Sequence, residues 1–429
     1  MLDQSLNVKN LARVRRTDDE YRFHIKSGTI DQRISDLAAA IDDGTFVFKP
    51  FKKIEKADFI AYTCDDFETA LVVRKLNDSL RRLYKVRQSD RGEIVQQVKG
   101  LLSETTPKHV IKLDVASFYD TVNRQAILQK LVDDHLLSYR SKKLLALLFD
   151  TAFPELGSGV PRGLNIRATL AEIFMRDFDV EVKRVSGVYY YARYVDDIIV
   201  FTHAHPFPIK KSIGSLLPSG LKLNKKKSRE IFTVDCRCHS VCSCLGDCKC
   251  RVRCACKVDE ALFHKMDYLG YSFSFFDVNE ARRDKANRVV LSIADKKIKK
   301  IKARLVRSVL DYARRPDFAL LSDRLKFLTG NFVIKDVRRK IDIKTGIYYN
   351  YHLIENGKTD SALRDLNLFL RSGVFASSSR YGKIISKNLS IDQKRQLSKY
   401  SFISGFSTRR LSNFKPKRIR QITECWLYE

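Results

Sequence analysis

From Tyr189 to Thr202 the chain reads Tyr-Tyr-Tyr-Ala-Arg-Tyr-Val-Asp-Asp-Ile-Ile-Val-Phe-Thr, and no other stretch restricts the fold so sharply. Aromatic and β-branched residues run up to Val195 and an apolar run resumes at Ile198, the composition of two strands around a tight turn. The turn carries Asp196 and Asp197. Two adjacent carboxylates at the tip of an apolar hairpin repel each other and resist burial. A hard divalent cation with oxygen ligands relieves both problems. A solvated turn is the competing reading, since Asp is a common turn former.

The length of 429 residues exceeds one simple core and predicts roughly two to four lobes. The formal charge is +30, from 80 basic against 50 acidic residues. Such an excess opposes compaction and is relieved by a polyanion, first of all nucleic acid. An anionic membrane surface is the weaker alternative, because the cations are spread along the chain rather than gathered in one amphipathic helix or tail. The start, Met1-Leu2-Asp3-Gln4-Ser5, lacks the basic residues and apolar core of a signal peptide, and no apolar run approaches a membrane span. A cytoplasmic protein without a membrane partner is expected. In a reducing compartment its ten cysteines read as thiols or metal ligands rather than disulfides.

Before the hairpin, Ile30, Ile34, Leu37 and Ile41 have helical spacing, and Phe46 to Phe51 reads as a strand ending at a proline. The apolar run Ala70-Leu71-Val72-Val73 leads into Arg74, the first of a series of cations reaching Arg91. Cations on a strand pair and its adjoining loop suit the clamping of phosphates, and a solvated surface is the alternative. Ser89 or Asp90 can cap a helix with a stripe of Ile94, Val98, Leu101 and Leu102. Val110 to Val115 reads as a buried strand, and Phe118 to Asp120 as the turn into a helix reaching about Lys130. Asp114 near the end of that strand is costly unless paired, or else caps the helix that follows. Further on, Gly157-Ser158-Gly159-Val160-Pro161-Arg162-Gly163-Leu164-Asn165 opens an amphipathic helix, Thr169 to Val182. Glycines let backbone approach a ligand closely, and Arg162 adds a charged donor.

An Asp ending a strand, a Gly-Pro-Arg-Gly loop before a helix and Tyr-Val-Asp-Asp on a hairpin, in that order, resemble the palm of a reverse transcriptase. Two further stretches follow in the family's order. Gly220-Leu221-Lys222-Leu223-Asn224-Lys225-Lys226-Lys227-Ser228 is similar to a motif of bacterial and intron-type enzymes, and Tyr268-Leu269-Gly270-Tyr271 to the hairpin that grips the primer end. The resemblance implies an α+β right-hand polymerase. Residues 1–109 would be the N-terminal extension and fingers, 110–280 the palm with an antiparallel sheet, 281–345 a basic helical thumb, and 346–429 a C-terminal helical extension.

It also implies catalytic Asp114, Asp196 and Asp197 holding two Mg2+ ions, with the carbonyl of Val115 completing a site. Tyr119 would stand against the sugar 2′ position and exclude ribonucleotides. Arg162, Gly163, Tyr194 and Arg74 would line the nucleotide site, and Lys227 would protonate the leaving pyrophosphate. Arg162 stands where viral relatives carry Gln. The implied partners are deoxynucleoside triphosphates, an RNA template or non-coding RNA, and a DNA product. The wording Ser-Phe-Tyr-Asp, Val-Pro-Arg-Gly and Ala-Arg-Tyr-Val-Asp-Asp is most similar to the defence-associated, antiphage branch of bacterial reverse transcriptases. Within it, the resemblance is to the first subunit of the two-enzyme type 3 system, which implies a second reverse transcriptase subunit and a higher-order oligomer. Template-independent or protein-primed DNA synthesis, or a nucleic-acid-binding scaffold on the same fold, are the alternatives.

Residues 235–257 are absent from the general family pattern. Cys236, Cys238, Cys242, Cys244, Cys248, Cys250, Cys254 and Cys256 form four Cys-x-Cys pairs spaced six apart. So short a run cannot bury eight thiols in a core. Soft thiolates at this density select zinc in two tetrahedral sites or one bridged cluster, with His239 able to replace one sulfur. An iron–sulfur cluster and redox-labile thiols are the alternatives. Beyond it, residues 281–340 hold 19 Lys or Arg against 6 Asp or Glu, a net of +13. Ile293, Ile298, Ile301, Leu305, Val309 and Tyr312 mark one helical stripe, and Phe318 to Leu328 a second helix. Such a basic helical pair suits a phosphate-holding thumb. Further helices are expected at Asp360 to Leu370 and Asp392 to Tyr400, with Trp426 as a packing anchor.

Overall fold

The computed structural model describes residues 2–16, 19–26, 28–56, 59–104, 108–151, 153, 159–160, 162–232, 263–276, 289–336 and 341–426. The chain forms two compact units, Met1–Asp90 with Pro107–Lys257, and Arg91–Thr106 with Val258–Glu429.

The first unit is organised on a four-stranded antiparallel sheet. Its members are β3 (His109–Asp114), β4 (Val188–Tyr194), β5 (Asp197–Thr202) and β6 (Arg229–Phe232), in the order β4-β5-β3-β6. The uninterrupted run Ile198-Ile199-Val200-Phe201 reflects burial on both faces, all four residues being 0% exposed. Helix Ile166–Arg184 packs on β4, and helix Pro206–Leu216 packs on β3 and on that helix. A separate antiparallel ribbon, β1 (Lys52–Lys56) and β2 (Phe59–Thr63), precedes helix Phe67–Leu83.

Three local expectations are corrected here. Ala70 to Val73 is helical, not strand: Asp66 caps the helix by accepting from the Thr69 amide, and Ala70, Leu71, Val72 and Val73 are all buried. With burial nearly all round, no period separates helix from strand. Phe46 to Phe51 is irregular, and the strand begins after it at Lys52. Those rings are held by packing instead of a ladder, Phe51 stacked on Phe153 at 4.7 Å and Phe46 edge-on to Phe48 at 5.0 Å. The helix expected from Phe118 to about Lys130 is two, Phe118–Thr121 and Arg124–Asp133. Asn123 turns extended between them and caps the second by accepting from the Ala126 amide at 3.1 Å.

The second unit holds two three-stranded sheets. One is β7 (Phe263–Tyr268), β8 (Tyr271–Phe276) and β9 (Val290–Ile293); the other is β10 (Asn331–Asp336), β11 (Ile341–Gly346) and β12 (Leu411–Asn413), ordered β11-β10-β12. Helix Arg91–Ser103 packs on β8, and Arg91 donates from Nε to the Leu269 carbonyl at 2.7 Å. Compactness therefore divides the chain elsewhere than at residues 109 and 280: this helix and the Tyr268–Tyr271 hairpin both lie in the second unit. The hairpin's Leu269 and Gly270 have φ of +47° and +81°, the backbone of a two-residue primed turn.

The expected basic helices are Asp295–Arg314 and Phe318–Thr329, the first buried along Leu305, Ser308, Val309 and Tyr312. Trp426 is 4% exposed, and its indole donates to the Arg304 carbonyl at 3.1 Å and the Ser308 hydroxyl at 3.2 Å, the packing anchor expected of it. Helices also form at Ser361–Leu368 and Ile391–Ser398. Residues 235–257, with all eight paired cysteines and His239, lie outside the described residues; Cys64 and Cys425 are free thiols. Among the described residues no helix is long and apolar enough to cross a membrane.

Candidate active site

Asp114 ends β3, Asp197 begins β5, and antiparallel pairing sets them directly opposite each other. Directly opposed residues project to the same face of a sheet, so the two carboxylates share one side. Asp196 sits between them in the two-residue turn that joins β4 to β5, where Tyr194 pairs with Asp197. Its carbonyl accepts from the Val115 amide at 3.1 Å. Three acidic residues separated by 82 positions along the chain are thus brought to one sheet end.

That turn is strained. Val195 has φ +61°, a region a β-branched side chain rarely enters, at the position where such a hairpin ordinarily takes glycine. Residue Ser117 is also left-handed, at φ +46°, and starts the short helix that carries Phe118 and Tyr119.

A cleft of about 570 Å³ opens beside the carboxylates, lined by Ala61, Val115, Ser117, Phe118, Tyr119, Arg162, Gly163, Arg167, Asp196 and Lys227. This lies within the roughly 300–1,000 Å³ of small-ligand pockets. One wall is the loop around Arg162, docked by backbone on two sides. The Tyr62 amide donates to the Arg162 carbonyl at 2.7 Å, and the Val160 amide to the Tyr119 carbonyl at 2.8 Å. Only glycine fits at two points: a Cβ on Gly163 would lie 2.1 Å from the Tyr62 carbonyl oxygen, and one on Gly159 2.7 Å from that of Asp120.

Arg162 donates from Nε and Nη2 to the Asp120 carboxylate at 3.1 and 2.7 Å, a bidentate pair that fixes the guanidinium at the rim. Lys227 Nζ stands 3.0 Å from Asp114 Oδ2. That hydrogen bond holds the Lys227 ammonium above its ordinary pKa, so it keeps its proton at neutral pH. The Tyr119 ring is edge-on to Phe118 at 5.1 Å, with the Arg167 guanidinium 4.0 Å from its centroid. Burial raises the Tyr119 phenol above its usual range, against the pull of Arg167.

Arg167 was not anticipated from the sequence. It lies in the first turn of helix Ile166–Arg184, where a cation opposes the helix dipole, and that anomaly was the available signal. Its Nε is buried and donates to nothing. Arg74, expected at the nucleotide site, is engaged elsewhere. From within helix Phe67–Leu83 it donates to Asp19 at 2.6 and 2.8 Å, and with Asp19 at 0% and Arg74 at 11% exposure the pair is a buried structural tie. A run of cations in sequence does not report which of them the fold turns inward.

Burial pushes the Asp197 carboxyl up to about 6, with repulsion from Asp196 and Asp114 adding to it and Lys112 and Lys227 opposing. Asp196 is raised too, by burial first and then by Asp114. Among the described residues no group of three or more His, Cys, Asp or Glu is drawn together at metal-holding distances. The donor set nonetheless fits a divalent cation: Asp114 is 4% exposed, and its Oδ1 is buried without a hydrogen-bond partner. Crowded, desolvated carboxylates with an orphaned oxygen gain from a hard cation.

Both raised groups ionise less readily folded than unfolded. The contribution of Asp197 to stability is therefore fully present below the ordinary carboxyl value of 3.8 and is lost as pH rises through about 6, and Asp196 acts in the same direction. A divalent cation needs them ionised, so its apparent affinity should rise over the same interval. Thermal stabilisation by added Mg2+ should be marked at about pH 7.5 and weak at about pH 5; equal stabilisation at both would remove the carboxylates as its site.

The family model described as reverse transcriptase (RNA-dependent DNA polymerase) matches residues 63–273, a span containing all three aspartates, Tyr119, Arg162, Tyr194, Lys227 and the Tyr268–Tyr271 hairpin. No curated protein sequence matches the chain. Among solved structures, it resembles telomerase from Candida albicans in complex with a TWJ fragment of telomeric RNA, at 13% identity and a TM-score of 0.32. That likeness covers 82% of this chain and 53% of the other, so the chain spans about half the length of the telomerase. Residues 63–273, just under half of the chain and containing all three aspartates, are similar to the reverse transcriptase family of RNA-dependent DNA polymerases.

Proposed function

We propose that the chain copies RNA into DNA, adding deoxynucleotides to a primer 3′-hydroxyl by Mg2+-dependent phosphoryl transfer. The observation that carries this reading is the cross-strand pairing of Asp114 with Asp197 and the placing of Asp196 in the turn beside a cleft lined by cations. Asp114, Asp196 and Asp197 would hold the metal, with Val115 alongside. A pair of divalent cations, when bound, supplies charge neutralisation at the attacking and leaving oxygens. Arg162, steadied by Asp120, and Lys227, kept protonated by Asp114, offer donors to the triphosphate. Lys227 would give a proton to the departing pyrophosphate. Gly163 lets the loop backbone lie against β2, and Tyr194 ends the strand that delivers the turn.

Sequencing the DNA made by the purified protein, with and without co-purifying RNA, tests the reading. Product complementary to an RNA supports it; DNA of template-independent sequence, or DNA joined to a protein hydroxyl, replaces it with untemplated or protein-primed synthesis.

Tyr119 is proposed as the sugar gate, its ring held between Phe118 and Arg167. Tyr119→Ala should raise ribonucleotide incorporation relative to deoxyribonucleotide by roughly 100-fold, about 2.7 kcal/mol of discrimination. An unchanged ratio would make the tyrosine a packing residue only.

We assign the chain to the defence-associated branch on the wording of its motifs, acting with a non-coding RNA and a second reverse transcriptase subunit. The cysteine pairs at 236–256 are assigned to zinc, with His239 as a substitute ligand. Metal analysis of reduced, purified protein should then find zinc, and a metal-free protein would dispose of the assignment.

A further inference from the structure

We infer that Arg193 is a positioning residue that clamps the hairpin presenting Asp196 and Asp197. The inference rests on the proposed function only in treating those aspartates as the metal-holding groups. Arg193 lies on β4, next to Tyr194, and is 6% exposed. A guanidinium has five N–H donors. Here Nε and Nη2 each donate to Asp179 at 2.7 Å, Nη1 and Nη2 donate to Glu172 at 3.2 and 2.7 Å, and Nη1 also donates to the Val195 carbonyl at 3.1 Å. All five are engaged.

Glu172 and Asp179 are seven residues apart on helix Ile166–Arg184, hence on one face. Tyr191 adds its hydroxyl to Asp179 Oδ1 at 2.6 Å, so the carboxylate pair is itself held. Two carboxylates already exceed the charge of one guanidinium, and neutralisation does not require the fifth bond. That bond goes to the one residue of the turn whose backbone is strained. A β-branched residue at φ +61° is strained and persists only where its surroundings over-determine it. The Arg193 donor fixes the peptide before Asp196, and the Val115 amide fixes the peptide after it. The turn is thus tied to the helix on one side and to β3 on the other, which sets where the Asp196 carboxylate points.

The test is a cycle of Arg193→Lys, Val195→Gly and the double variant. A lysine keeps the charge, but one ammonium lacks the planar fork that reaches two carboxylates and a carbonyl. A glycine at 195 carries no penalty for left-handed φ, so the turn no longer needs the clamp. Arg193→Lys should lower kcat for nucleotide addition roughly 100-fold while the nucleotide KM stays within about threefold, and adding Val195→Gly should recover about tenfold. An unchanged kcat in Arg193→Lys, or a double variant no faster than it, overturns the inference, because a guanidinium serving only the fold would not be relieved by glycine at 195. Melting temperatures of the same four proteins should combine non-additively, and strict additivity overturns it as well. Melting needs no catalysis. A wild-type protein that adds no nucleotide would therefore refute the proposed function, while the melting cycle still decides the role of Arg193.

Discussion

Asp196→Asn should leave a folded protein that no longer adds nucleotides, with a rate loss of roughly 10³-fold or more, about 4 kcal/mol. Asparagine has the shape of the aspartate without its charge, so the turn can form as before. What disappears is one of the three carboxylates proposed to hold a divalent cation. Without Mg2+ the variant should be no less stable than wild type, because the change also removes repulsion felt by Asp197 and by Asp114. Loss of activity with retained melting separates chemistry from folding. In cells challenged with phage the same variant should lose protection, as the defence assignment requires. A variant that extends primers at the wild-type rate ends the catalytic assignment of the hairpin.

Gly163→Ala should destabilise the first unit by about 3 kcal/mol or more. The added Cβ would lie 2.1 Å from the Tyr62 carbonyl oxygen, at a φ of +104° that alanine rarely adopts. Neither side can yield cheaply, since the obstructing atom is backbone and the Tyr62 amide is already bonded to the Arg162 carbonyl. The loop must lift from β2, which carries Arg162 away from the cleft. Gly100→Ala in helix Arg91–Ser103 is the matched control: nothing lies within 4 Å of its Cβ, and a gain of up to about 1 kcal/mol is expected there. Denaturant midpoints of the two variants give the comparison, and a Gly163→Ala midpoint equal to wild type would mean the loop is not docked as described.

Much of this site was legible because its chemistry is costly in any other setting. Adjacent carboxylates in an apolar hairpin, and another ending a buried strand, are expensive unless a partner offsets them, and strand pairing brings them together. Periodicity identified helices such as Ile30–Asp42, Ile166–Arg184 and Asp295–Arg314, whose buried stripes repeat at the helical spacing. It failed at Ala70 to Val73, where a helix buried nearly all round looks like a strand, and at Phe46 to Phe51, where rings pack without a ladder.

The sequence alone determined where carboxylates and thiols are concentrated and which segments carry a strongly basic charge, because these depend on side-chain identity and local pattern. Only the tertiary structure decided which cations face the cleft. Arg74 is turned into a buried pair with Asp19, Arg167 is set under Tyr119, and Arg193 is tied to two carboxylates and a strained carbonyl. Those outcomes depend on contacts between residues far apart along the chain, made only once helix, loop and sheet have packed, and no local rule of spacing encodes them.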